Sequence, residues 1–576
     1  MLNGIQHFTD KKDVLIDQLK SKYADLYDAV LPIPYLRDML YSVEGIFVEG
    51  GIEYLEPTNS KGGRTRWRPL KSYQNILNDV KVKSVRRFVE GEPGYGKSML
   101  TLKFAYDWCN ESEASPLQNV DILILLRLRQ LGGVPSIYTA IKQLLLPKDT
   151  TLTEGDIKDI LSNSSSVVFM LDGFDELPVK GSDSKSDIIN IITKKMFNQF
   201  ETILTTRSSC LPKEYPPQTI RLRLTGFDNR SRKEYILKAV AGGDKEAADH
   251  IRRRLKDNAV LAGVCQVPLF FVMFAHMSHE NKHLQRFASV TRFFRHMVSC
   301  FHSHMKNKMR DENVTYYDIN ELDHQKLDKV AFEGLMAKRQ QIVWKKVELL
   351  NRLGQEFYDQ YVRIGILVEE NVLHISDKPF TEHIRCETEV RFYHKIFCEW
   401  YAAHYLVEIL SSENITFNKG FDFFGVDKPY WDSNPIEDKH SQGVNKDNDL
   451  GEIDPFDVQY LYRFSCGLSS TAGKQIIESL QKNKEHEKYT LLCILELEGD
   501  VRKVIQIVKQ LCSTPTEIKA GDTILLQESC IELLKIASQH EVKFQQHFLC
   551  TLRSVKLIYF FSHYSKYFNY LQYKSL

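Results

Sequence analysis

Gly91-Glu92-Pro93-Gly94-Tyr95-Gly96-Lys97-Ser98 satisfies the pattern G-x-x-x-x-G-K-[ST] at every fixed position, and its reading decides the fold. Before it, Val85-Arg86-Arg87-Phe88-Val89-Glu90 reads as a short strand; after it, Lys97 to about Cys109 reads as a helix with Met99 in its first turn. Strand, glycine-rich loop and helix in that order turn backbone N–H groups and the positive end of a helix toward one anion. Lys97 brings a point charge to the β- and γ-phosphates of a nucleotide, and the Ser98 hydroxyl suits Mg²⁺. Residues Gly91 to Met99 are therefore the candidate cofactor-binding segment.

About 75 residues downstream of Lys97, Val167-Val168-Phe169-Met170-Leu171 runs into Asp172-Gly173-Phe174-Asp175-Glu176. An unbroken apolar run is what a parallel strand buried on both faces requires. Acids at its C-terminal end fall where open α/β sheets bind ligands. Asp172 is placed for Mg²⁺, directly or through water, and Asp175 or Glu176 for orienting and deprotonating an attacking water.

Working outward, the runs Val85–Val89, Ile122–Leu128, Val167–Leu171, Thr202–Thr206 and Ile220–Leu224 alternate with helical patterns. This argues an α/β unit with a parallel sheet and helices on both faces. Asp10 to Tyr27 is helical, Gly45 to Leu55 extended, and Asn59 to Pro69 a basic loop. In that loop Lys61, Arg64, Arg66 and Arg68 surround Trp67, a pattern read as a solvated surface and not a nucleic-acid contact. After Phe227 the pattern turns helical, with Asp228 capping a helix through Val240. The apolar stretch Val260 to Met277 contains Gln266, Pro268 and His276, and reads as two buried helices broken at Pro268 and not as a membrane span. Gly365-Ile366-Leu367-Val368 and Val372-Leu373-His374-Ile375 read as a pair of short strands. Trp431 to Gly451 is polar and reads as a mobile loop, and an aromatic tail runs from Tyr559 to Tyr573. The expected divisions are 1–80 as a helical lead-in, 81–227 as the nucleotide-binding unit, 228–340 as helical, 341–412 as winged-helix, 413–454 as a linker and 455–576 as a second helical unit.

Composition narrows the function. The 576 residues carry 76 Lys+Arg against 75 Asp+Glu, a net charge of +1. That offers no general drive toward nucleic acid or an anionic membrane. Eleven cysteines are scattered without a C-x-x-C pair, which fits a reducing compartment and no zinc site. Met1-Leu2-Asn3-Gly4-Ile5-Gln6-His7 starts no signal peptide. Guanine recognition by N-K-x-D is not found, since Asn418-Lys419-Gly420-Phe421 lacks the acid and lies too far on.

Together these motifs resemble the NACHT family, signal-transducing P-loop ATPases of the STAND class best known from NOD-like receptors. Asp172-Gly173-Phe174-Asp175-Glu176 is similar to that family's second nucleotide motif. Ile203-Leu204-Thr205-Thr206-Arg207 resembles its sensor strand, which implies that Arg207 reaches the terminal phosphate; Ser208 stands where many relatives have proline. Cys265-Gln266-Val267-Pro268-Leu269 resembles the motif whose proline packs near adenine. Phe392-Tyr393-His394-Lys395-Ile396-Phe397-Cys398-Glu399-Trp400-Tyr401-Ala402-Ala403 is similar to the winged-helix signature, which implies that His394 contacts the β-phosphate of ADP; Cys398 replaces the usual glutamine. Leu461 to Leu468 resembles the start of a second helical domain, with no site role for Arg463.

The resemblance implies an ATP/ADP-controlled, Mg²⁺-dependent switch with slow hydrolysis, cytoplasmic, that self-associates or joins other NACHT proteins in signalling, innate immunity included. The alternative is a nucleotide-bound scaffold or regulator of larger NACHT proteins with negligible catalysis. Neither a leucine-rich repeat pattern nor an N-terminal effector domain is expected in the sequence, about forty residues before the module being too few for one.

Overall fold

The computed structural model describes residues 2–33, 40–56, 66–112, 115–131, 136–177, 186–256, 259–280, 287, 289–311, 324–337, 341–375, 384–411, 458–481, 487–497, 505–513 and scattered positions between 517 and 550. The expected linker 413–454, the aromatic tail, Lys61 and Arg64 lie outside the described residues.

Strands β1 (Gly51–Glu56), β2 (Arg66–Leu70), β3 (Arg86–Glu90), β4 (Ile122–Arg127), β5 (Val167–Asp172), β6 (Glu201–Thr206) and β7 (Ile220–Gly226) form one sheet in the order β2-β1-β7-β3-β6-β5-β4. From β7 to β4 all pairings are parallel. These five strands are the five apolar runs of the sequence, and the loop Gly91–Ser98 leaves β3 near the middle of the sheet, the arrangement of a P-loop NTPase. β3 and β5 are buried along their whole length; β5 accordingly runs apolar up to Asp172 without alternation, whereas β3 buries the charged Arg86, Arg87 and Glu90 beside Phe88 and Val89.

Of these, Arg86 is satisfied by the main chain. Its guanidinium is 1% exposed and is absorbed by main-chain carbonyls, donating from Nε to Ile191 O (2.8 Å) and from its terminal nitrogens to Phe200 O (2.6 Å) and Phe197 O (3.1 Å). Burial pushes its pKa down to about 10.

Three expectations are corrected. The basic segment around Trp67 is not all loop: Arg66–Leu70 is β2, paired antiparallel with β1, which in turn runs antiparallel to β7. Charge and Pro69 disguise it, yet proline is tolerated on an edge strand. Trp67 is covered by the guanidinium groups of Arg223 and Arg221, at 4.5 and 5.9 Å from the ring centre. Val43–Ile46, expected to be partly extended, is a single helical turn capped by Ser42, whose Oγ accepts from Gly45 N. Finally, the two apolar runs after Gly365 are not a strand pair. Leu367–Ile375 is one strand, β9, whose partner is Ile384–Phe392, β10; with Val343–Lys345, β8, they form an antiparallel sheet ordered β8-β10-β9.

At the far edge of the main sheet, β4 is guarded by the helix Leu2–Tyr27. Leu15, Leu19, Tyr23 and Tyr27 recur every fourth residue and are buried. The Tyr23 hydroxyl donates to Leu123 O (2.9 Å) and accepts from Leu125 N (2.8 Å), satisfying two outward-facing groups of the edge strand.

In the C-terminal half, Ala259–Val264 and Pro268–Glu280 are separate helices meeting before Pro268. Among the described residues no helix is long and apolar enough to cross a membrane. Phe294 of the helix Val290–Asp311 meets Phe397 and Trp400 of Lys395–Ser411 and Phe464 of Gln459–Leu468, with ring centres 4.9 to 5.3 Å apart. This aromatic cluster holds three helices in one core.

Candidate functional site

Gly94 and Gly96 adopt positive φ, 84° and 86°. A Cβ on Gly94 would stand 2.9 Å from Val267, so the loop apex needs glycine to lie against the segment before Pro268. Leu269 N donates to Gly94 O (3.2 Å), tying that segment to the loop. Pro268 itself is buried and is the first residue of its helix, where its missing N–H costs nothing. Around the loop, Glu92 and Ser98 are exposed, Pro93, Tyr95 and Met99 half-buried, and Gly91 buried, its N–H donated to Thr206 O (3.0 Å). Lys97 starts the helix Lys97–Cys109 and folds its ammonium back onto Gly91 O (2.5 Å).

The C-terminal ends of β5 and β6 complete the crevice. Asp172, 4% exposed, accepts from Thr205 Oγ1 (2.6 Å), which itself accepts from Gly173 N (2.8 Å). Arg207, just past β6, is ion-paired through Nε with Asp175 Oδ2 at 2.6 Å. Asp175 Oδ1 is buried without a hydrogen-bond partner, an acceptor left for a water or cation.

Glu176 takes a different partner. Arg129, after β4, bonds Glu176 at 2.9 Å and Glu370 of β9 at 2.8 Å; Arg391 of β10 closes on Glu370 at 3.2 Å. Burial works against ionising Glu176, but the charges of Arg129 and Arg391 prevail and hold its pKa at about 2.

His394 lies just before the helix Lys395–Ser411. Its Nδ1 accepts from Ile396 N (3.3 Å). Burial, and then the positive charges of Arg207 and Lys97, push its pKa down to about 3. The ring is therefore neutral near pH 7 with its proton on Nε2.

The fold thus gathers Lys97, Asp172, Asp175, Arg207 and His394 at the C-terminal end of the parallel strands, with Pro268 against the loop apex. Glu176 is turned toward β9. Sequence reasoning passed over Thr205, although a hydroxyl in a strand this buried demands a partner. It also passed over Arg129, Glu370 and Arg391.

The NACHT domain family matches residues 86–242. That stretch of the chain is similar to a NACHT domain. The NACHT match takes in Lys97, Asp172, Asp175, Glu176 and Arg207, while Pro268 and His394 lie beyond it. The chain is similar to NACHT, LRR and PYD domains-containing protein 3 of Bos taurus, 23% identical over 339 residues, covering 55% of this chain and 30% of the relative. It is also similar to NLR family CARD domain-containing protein 4 of Xenopus tropicalis, 21% identical over 477 residues, covering 82% of this chain and 42% of the relative. The chain spans less than half the length of either curated relative. Among solved structures, a STAND protein with a tetratricopeptide repeat sensor from Pyrococcus horikoshii aligns at 10% identity, covering 84% of this chain and 63% of that one with a TM-score of 0.28, a likeness too slight to add to the fold.

Proposed function

We propose that this protein is an ATP/ADP-binding switch whose two halves are held together across the nucleotide site, with slow hydrolysis resetting it. The observation that carries this reading is the position of His394. It comes from the C-terminal half, yet stands in the combined positive field of Lys97 and Arg207. A neutral imidazole donating from Nε2 between two cations is suited to a phosphate oxygen.

In this reading residues 228–340 and 455–576 are helical domains and 341–412 a winged-helix domain that closes on the nucleotide. Gly91 to Met99 cradle the phosphates and Pro268 flanks the base. Ser98 and Asp172 would hold Mg²⁺, which when bound neutralises phosphate charge; the orphaned oxygen of Asp175 suits the same environment. Arg207 would leave Asp175 for a terminal phosphate, freeing that acid to orient water. A nucleotide shifts closed to open only by its differential affinity for the two forms. Opening would expose surfaces for self-association, or association with other NACHT proteins, in cytoplasmic signalling of the innate-immune kind.

Purifying the protein without added nucleotide, denaturing it and identifying what is released tests the reading directly. Stoichiometric ADP is expected, and none from Lys97→Ala. In His394→Ala, loss of one phosphate hydrogen bond should speed ADP release by about 10- to 100-fold and shift the protein to larger assemblies. Unchanged ADP retention and assembly in that variant would overturn the clamp.

The engagement of Glu176 with Arg129 and of Asp175 with Arg207 favours a second reading, a nucleotide-bound scaffold that does not turn over. Multiple-turnover phosphate release that Glu176→Gln or Asp175→Asn abolishes would rule the scaffold out.

A further inference from the structure

Thr205 stands where β6 runs beside the end of β5. The two strands are parallel with Leu204 opposite Leu171, so Thr205 falls level with Asp172. Its side chain is fully buried, at 0% exposure. A valine would fill the same space and suit a strand as well, so packing gives no reason for a hydroxyl here. The reason lies in two hydrogen bonds. Gly173 N donates to Thr205 Oγ1 at 2.8 Å, which obliges the single hydroxyl proton to go elsewhere. It goes to Asp172 Oδ1 at 2.6 Å, the length of a hydroxyl bonded to an ionised carboxylate.

Both bonds sit at the root of the acidic turn. Gly173 takes a left-handed conformation, φ 83°, and starts the turn Phe174–Glu176, where Glu176 N donates to Gly173 O at 3.0 Å. That turn carries Asp175 and Glu176. Thr205 therefore anchors both the carboxylate of Asp172 and the backbone from which the other two acids hang. Arg207, two residues on and still extended, pairs with Asp175 at 2.6 Å. Alternate positions of a strand face one way. The end of β6 thus offers one hydroxyl and one guanidinium, two residues apart, to two of the three acids.

We propose that Thr205 is a positioning residue for the cation that accompanies the nucleotide. Its hydroxyl fixes the plane of the Asp172 carboxylate and ties the root of the acidic turn to it. The proposal rests on the switch reading above, in which Asp172 would hold Mg²⁺. A carboxylate with a free torsion must be ordered when a cation arrives, and the ordering costs affinity; one already bonded is ordered beforehand. Cradling the phosphates falls, in the same reading, to Gly91 to Met99, with no part for Thr205. Its effect therefore belongs to the cation alone.

Titration calorimetry of the full chain with a non-hydrolysable β,γ-imido ATP analogue, in excess Mg²⁺ and then in EDTA, tests this. The ratio of the two affinities measures the cation's share. Thr205→Val keeps the shape and removes the hydroxyl; it should lower that ratio about 10-fold or more, with the affinity in EDTA unchanged. Thr205→Ser, which keeps the hydroxyl, should hold the ratio of the unaltered protein. An unchanged ratio in Thr205→Val overturns the proposal. So does an equal loss with and without Mg²⁺, the mark of a merely structural residue. An unaltered protein that binds the analogue no better with Mg²⁺ overturns the proposal while the nucleotide switch stands; one that binds it under neither condition overturns both. Should Thr205→Val not fold, Thr205→Cys puts a weak donor in place of the hydroxyl. It should lower the ratio in smaller measure, and an unchanged ratio there overturns the proposal.

Discussion

Two charged clusters join distant parts of this chain, and they are built in opposite ways. Arg463 and Glu496 pair at 2.7 Å, with side chains 1% and 0% exposed, and Thr291 donates to Glu496 from both its amide (2.9 Å) and its hydroxyl (2.8 Å). Three helices, Val290–Asp311, Gln459–Leu468 and Glu487–Glu496, are thereby fixed to one another. Close packing adds to the constraint, since a Cβ on Gly467 would lie 2.3 Å from the Thr291 hydroxyl. By contrast, Arg129 bridges Glu176 and Glu370 at the rim of a crevice, where Glu176 keeps 35% of its side chain exposed. A dry ion pair cannot separate without stranding a charge; a wet one can part and re-form at small cost. The first pair is the harder to part; the second, with Glu176 at the rim, is the easier, although Arg129 and Glu370 are only 16% and 12% exposed.

The sharpest way to break the comparison is Glu496→Gln. It strands the Arg463 charge in the core and should cost about 3–5 kcal/mol in urea unfolding. A loss below about 1 kcal/mol, the scale of an exposed pair, would show that the joint is not dry. Glu370→Gln should be milder, about 1–3 kcal/mol, and its main effect should be different in kind. With Arg129 and Arg391 released from β9, limited trypsin digestion should cut between the two halves faster, and the Glu496 variant, compared at equal stability, should not reproduce this. The smallest effect concerns pH. Glu176 has a folded pKa near 2, below the ordinary carboxylate value, so its contribution to stability is present above about pH 4.5 and is lost as pH falls toward 2. Glu176→Gln should flatten stability across that window, and an unchanged slope would mean that the rim pair contributes nothing in solution.

The clusters also differ in how far they could be read from the residues. β4 and β5 declare themselves because burial on both faces leaves unbroken apolar runs, as in Val167-Val168-Phe169-Met170-Leu171. Lys97 and Asp172 are singled out because each sits at a fixed place relative to a strand end, whereas Arg207 and His394 are singled out by the family resemblance. β2 is not legible, because its residues are charged and its stabilisation comes from Trp67 lying under arginines of β7. The Arg129 bridge has no local signature at all: its partner in β9 is 241 residues away, and only the approach of β9 to the end of β4 creates the site. Arg463, passed over as the one basic residue of its segment, is explained by an acid on another helix. Single-residue chemistry set by chain geometry is readable in advance; chemistry set by the meeting of two surfaces is not.

The Tyr23 hydroxyl has a bearing beyond the packing of its helix. By occupying Leu123 O and Leu125 N it turns the border of the main sheet into a finished hem. A chain trimmed past Tyr23 would offer a neighbouring molecule an apolar strand with its donors and acceptors free, the starting point for indiscriminate strand addition and fibre growth. One phenol thus helps to keep the sheet edge from becoming a point of assembly.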